Sequence, residues 1–178
     1  LKMRLGWENA SECMVLVELL NTLRLSRIAL HARTGKQQYK GHPDLEAFQG
    51  FYELCQHPLY YNGGIESLSD IRQILIRFPL LKGVFIGRGL LSSPLLAKEF
   101  KGNETFLPEQ RMSIYFAFHE ELFSAYSQVL QGETQLLVKM KTLWEYFLPE
   151  TDRKLLKRIK KSTRLQQYTE SVKAIFTS

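Results

Sequence analysis

Two apolar runs in this chain end on glycine. Pro58–Tyr61 gives way to Asn62-Gly63-Gly64, and Gly83–Ile86 gives way to Gly87-Arg88-Gly89. A phosphate group needs several backbone N–H groups converging on its oxygens, and glycine lets a backbone come close enough. Glycine is also the ordinary residue of a tight turn, so each doublet has two readings. Two successive runs ending this way, with Arg88 at the second, favour the anion reading. Lys2 sits among the apolar residues Leu1, Met3 and Leu5. If this stretch is a strand, Lys2 and Arg4 share one face, where charge needs a partner; the other reading is an edge or frayed end. His31 closes the run Arg27–His31, either as a satisfied core residue or as a ligand contact. Cys55-Gln56-His57 has no second ligand pair at metal-site spacing, so no metal is expected.

The elements that must position these residues alternate. Leu1–Leu5, Arg27–His31, Pro58–Tyr61 and Gly83–Ile86 read as strands. Between them, Cys13–Leu25 carries Met14, Val17, Leu20 and Leu23 at helical spacing, and Leu45–Cys55 carries Leu45, Phe48, Phe51 and Tyr52. Ser67 and Asp70 have the form of a capping box ahead of the stripe Ile71, Ile74, Leu75 and Phe78. Strand and helix in alternation predict a parallel sheet of βα units. Four such units are half of a (β/α)₈ barrel, whose chemistry sits at the C-terminal ends of the strands. Those ends hold Arg4, His31, Arg33, Thr34, Asn62, Gly63, Gly64, Gly87 and Arg88. The polar stretch Arg33–Tyr39 reads as a long loop there, a common place for substrate contacts.

The strand rhythm stops near residues 101–107. Beyond them the pattern predicts only helices: Pro108–Gln131, closed by Gly132, then Leu136–Leu148, Asp152–Ser162 and Tyr168–Phe176. The expected division is therefore 1–104, α/β, and 105–178, all-α.

The chain has 178 residues, 44% of them apolar, and a formal charge of +6. That is the size and composition of one globular domain with an appendage. No apolar run reaches the roughly 20 residues of a membrane span, and two cysteines make no disulfide framework, so a cytoplasmic setting is expected. Between Lys139 and Arg164 nine basic residues face three acidic ones. On the helix within that stretch, Leu155, Leu156 and Ile159 form one face, and Lys154, Arg158 and Lys161, with Lys157 near them, form another. Such a surface neutralises a polyanion's phosphates, or is simply a solvated helix face. Trp144, Tyr146 and Phe147 have the spacing of core residues rather than of base-stacking ones.

Four blocks, LKMRLGW, HARTGKQQYKGHPD, YYNGGI and GVFIGRGLLSSP, in this order, resemble those of the tRNA-dihydrouridine synthase family. The resemblance extends more weakly to MKTLWEYF and LLKRIKKS in the tail. It implies the second half of an FMN-binding TIM barrel, N-terminally truncated, followed by a helical tRNA-binding domain. It implies flavin-dependent reduction of uridine to 5,6-dihydrouridine in tRNA, with FMN as cofactor and NADPH as reductant. By the same resemblance Lys2, His31, Asn62, Gly63, Gly64, Gly87 and Arg88 bind FMN. Arg33 and Thr34 contact the substrate tRNA, which Lys154, Lys157, Arg158 and Lys161 hold from the tail. The family's Gly-Cys-Pro block, with its proton-donor cysteine, has no counterpart here; Cys13 and Cys55 lie in helical patterns, and Gly35 and Gly64 stand where the family often has a basic and an acidic residue. The expectation is therefore an oxidoreductase fragment, monomeric and inactive by itself, with no catalytic residue in this chain. Two rival functions are another FMN barrel oxidoreductase acting on a small molecule and a non-catalytic RNA-binding fragment.

Overall fold

The computed structural model describes residues 1–177. The chain divides into two compact units, Leu1–Gly89 and the residues from Leu90 onward.

The first unit is a four-stranded parallel sheet in the order β1 (Lys2–Gly6), β2 (Ile28–Thr34), β3 (Leu59–Asn62) and β4 (Gly83–Phe85). Its crossovers contain α1 (Glu12–Thr22), α2 (Leu45–Leu54) and α3 (Leu68–Arg77). Each helix starts or packs as its residues dictate. Asp44 caps α2, accepting from the Ala47 N–H at 2.9 Å. Ser67 and Asp70 close the expected capping box on α3. The stripes Cys13, Val17 and Leu20, then Phe48 and Phe51, then Ile71 and Ile74 are buried. Phe48 meets Tyr61 and Phe78 edge-on, with ring centroids 4.9 and 5.0 Å apart. Burying one such ring contributes roughly 1.5–3 kcal/mol, enough to hold a helix against the sheet.

Leu5, Leu30, Ala32 and Tyr61 are buried and share one parity of their strands. The other parity carries Lys2, Arg4, His31, Arg33 and Asn62. β2 runs three residues beyond the expected end at His31, because its polar residues Arg33 and Thr34 continue the alternation. Arg33 and Thr34 are therefore strand residues, and the loop begins after them.

The second unit contains α5 (Leu96–Gly102), α6 (Pro108–Val129), α7 (Gly132–Leu143), α8 (Arg153–Lys161) and α9 (Leu165–Phe176), and a short helix, α4 (Arg88–Ser92), begins just before it. The sequence rhythm puts the change of architecture at 101–107, whereas the units part after Gly89. The reason is packing: Leu95 is buried in the helical core with Tyr115, Leu137, Met140, Trp144, Phe147 and Tyr168. Gly132 opens α7 instead of closing α6, which ends at Val129. Trp144 and Phe147 are core residues, as their spacing predicts; Tyr146 is exposed. At the centre of this core the Trp144 indole N–H donates to the Tyr168 hydroxyl at 2.9 Å, and that hydroxyl lies 2.7 Å from His119 Nε2. His119 Nδ1 lies 3.1 Å from the Glu120 carboxylate. An ionised carboxylate can only accept, so His119 keeps its proton on Nδ1 and donates it to Glu120; Nε2 is bare and accepts from the phenol, and every member has a partner.

Candidate functional site

Strand register sets up the site in the first unit. Arg4 pairs in register with His31, His31 with Asn62, and Asn62 with Phe85. In a parallel sheet, residues in register point to the same side, so the four side chains form one row across the C-terminal strand ends. Lys2 lies two residues earlier on the same face, roughly 6.6 Å along the strand.

His31 is only 5% exposed. Burial, and then the charges of Arg4, Arg33, Lys2 and Arg88, hold its pKa down at about 4. The imidazole is therefore neutral through the physiological range. Arg33 is 4% exposed; its Nη1 is 3.3 Å from His31 Nε2 and its Nη2 donates to the Gly41 carbonyl at 3.0 Å. Its Nε is buried with no hydrogen-bond partner. Burial first, then the Arg88 charge, lowers the Arg33 pKa. Arg4 Nη1 donates to the Thr34 carbonyl at 2.7 Å. The exposed ring of Tyr39 takes cation–π contacts from two of these groups, with Arg88 at 4.5 Å and Arg4 at 5.8 Å from its centroid. The structure thus brings Lys2, Arg4, Arg33 and Arg88 together around one neutral histidine. Sequence reasoning misses Tyr39; an aromatic residue inside a polar loop is the available signal.

The glycines divide. Gly63 and Gly64 have φ of 142° and 58°, a backbone that L side chains avoid, and a Cβ on Gly64 would stand 3.0 Å from Pro43 Cγ. The turn alone requires glycine there. Gly87 differs: its φ is not positive, and a Cβ on it would meet no protein atom within 4 Å. Asn62 is engaged as a brace, its amide donating to the Phe85 carbonyl at 2.9 Å. Thr34 forms a local turn, its hydroxyl accepting from the Gln37 N–H at 3.2 Å.

An anion fits this region. Four cations converge on it, one buried guanidinium nitrogen lacks an acceptor, and the space beside Gly87 is open. Neither cysteine belongs to it. The Cys13 thiol is buried on α1, donates to the Ala10 carbonyl, and is pushed up to about 11 by burial. Cys55 follows α2, and burial raises its pKa as well.

In the second unit, Lys154, Lys157, Arg158 and Lys161 line a cavity of about 400 Å³ with Ser162, Gln167, Glu170 and Ser171. Asp152 caps α8, accepting from the Lys154 N–H at 2.7 Å. The buried Ile159 fixes which side of α8 faces inward. Among the described residues no helix is long and apolar enough to cross a membrane, and no cluster of His, Cys, Asp and Glu could hold a metal ion.

A family model described as dihydrouridine synthase matches residues 1–177. The chain is 35% identical over 95 residues to a probable tRNA-dihydrouridine synthase of Rhizobium leguminosarum bv. phaseoli, covering 53% of this chain and 30% of that protein. It is 35% identical over 100 residues to a protein of the same description in Aquifex aeolicus, covering 56% and 31%. The tRNA-dihydrouridine(16) synthase of Escherichia coli is 28% identical over 108 residues, covering 60% and 34%. The matched stretch spans about a third of these relatives' lengths.

Proposed function

Because this chain belongs to the dihydrouridine synthase family, we propose that it forms the flavin-holding half-barrel and the RNA-holding helical domain of a tRNA-dihydrouridine synthase. Lys2, His31, Asn62, Gly63, Gly64, Gly87 and Arg88 would hold FMN. When bound, FMN would supply the hydride that reduces the C5–C6 double bond of a tRNA uridine, with NADPH as its source.

The chain's own residues have separable tasks. The backbone at Gly87 leaves room for a phosphate, and Arg88 adds positive charge. Lys2 and Arg4 keep the local potential positive, which favours negative charge developing nearby during reduction. His31, neutral and buried, would offer a hydrogen-bonding imidazole without adding a fifth charge. Thr34, the last residue of β2, would contact the extruded base. The α8 face, with Lys154, Lys157, Arg158 and Lys161, neutralises backbone phosphates while the base is out of its stack. Proton delivery to the second carbon would fall to neither Cys13 nor Cys55, since burial raises the pKa of both thiols.

The observation that carries this reading is the convergence of Lys2, Arg4, Arg33 and Arg88 on one neutral histidine, with the open backbone of Gly87 adjoining Arg88 in the chain. Its test is a fluorescence titration of the full chain with FMN and, as a control lacking phosphate, riboflavin. Gly87→Ala is expected to weaken FMN binding about tenfold or more, to leave riboflavin unchanged and to keep the melting temperature. A wild-type chain that binds neither flavin overturns the reading.

A further inference from the structure

A guanidinium has five N–H donors and no lone pair with which to accept. Arg33 Nη1 lies in bonding geometry 3.3 Å from His31 Nε2, so that nitrogen must be the acceptor. A neutral imidazole with a bare Nε2 carries its proton on Nδ1. We propose that Arg33 is a positioning residue: it locks His31 in the Nδ1–H tautomer, so that His31 serves as a fixed hydrogen-bond donor and takes no part in proton transfer.

The surroundings hold this arrangement from every side. Arg33 is itself pinned by the Gly41 carbonyl and buried, so its fork cannot swing away. Lys2 and Arg4 act on the imidazole from β1, Arg33 from β2 and Arg88 from the start of α4, and each opposes a second proton. The Tyr39 ring, 6.2 Å from the imidazole, brings no charge. Free histidine near neutral pH prefers its proton on Nε2, so the lock runs against the ordinary preference and leaves a distinctive signature. The use of the Nδ1 donor in catalysis rests on the flavin reading above; the tautomer itself does not.

The test uses the full chain labelled with ¹⁵N-histidine, with no flavin or RNA added. Long-range ¹H–¹⁵N spectra are recorded from pH 7.5 to pH 5, and His31→Gln identifies the His31 signals by their loss. The expected result is a His31 Nε2 resonance in the bare-nitrogen range and an Nδ1 resonance in the N–H range, both nearly unmoved down to pH 5. In Arg33→Met the Nε2–H form is expected to become the majority, and His31 to titrate at a higher pH. A wild-type His31 protonated on Nε2, or one that titrates near the ordinary histidine value of 6.5, overturns the proposal. If Arg33→Met does not fold, the wild-type pH series decides alone. Failure to bind flavin with the expected tautomer present removes the function and leaves the lock standing.

Discussion

A glycine in a sequence records a missing side chain and says nothing of the φ that made the side chain unwelcome. Gly63-Gly64 and Gly87 look equivalent for that reason, and they are opposites. Gly64→Ala is expected to lower unfolding free energy by about 1–2 kcal/mol, from the left-handed backbone and the close approach to Pro43. Gly87→Ala should leave stability within about 0.5 kcal/mol, since neither backbone nor neighbours resist it. Urea unfolding of both variants checks the contrast. A second residue-scale prediction concerns Tyr168, whose hydroxyl serves both Trp144 and His119. Tyr168→Phe leaves a buried N–H and a buried ring nitrogen without their partner and should cost about 1–3 kcal/mol. The charged and titratable members of the site are legible in the sequence as types at strand ends. The Arg33–His31 contact is not, because adjacency on one face of a strand does not reveal which nitrogen meets which.

At the scale of elements, strands and helices with a buried stripe are legible, and those without one are not. The β2 extension through Arg33 and Thr34 is hidden because polar residues inside a strand look like loop when the functional face is itself polar. The short α4 is hidden by Gly89 inside it and Gly87 just ahead of it, which read as turn. Gly132 reads as the end of α6 and in fact starts α7, because glycine punctuates either end of a helix. α8 is legible in both its apolar and its basic face, and it carries a prediction of its own. If its cations meet RNA phosphates, Lys157→Ala or Arg158→Ala should weaken binding of an unmodified tRNA transcript roughly equally across sequences. Each should also reduce the slope of log K against log salt by about one for every phosphate no longer neutralised. Filter binding at several KCl concentrations measures both, and an unchanged slope would mean that the face is merely solvated.

At the scale of the whole molecule, both compact units keep a histidine buried and neutral. Burial lowers the His119 pKa against the opposing effect of Glu120, and His31 is held at about 4. The unfolded chain takes up these protons near the ordinary value of 6.5, so it binds more protons than the folded chain as pH falls. The stability from keeping His31 neutral is therefore complete above that value and is lost as pH drops from about 6.5 toward 4. Lowering the pH from 7.5 to 5 should cost about 2 kcal/mol through His31, with His119 acting in the same direction, seen as an earlier urea midpoint. An unmoved midpoint would place both imidazoles in contact with solvent. The row from Arg4 through His31 and Asn62 to Phe85 bears on how such a gene can drift. Deleting one codon of β2 ahead of His31 would turn every later side chain of that strand to the opposite side, removing imidazole and guanidinium together. Length variation is thus expected to accumulate between the strands, and within them only in steps of two.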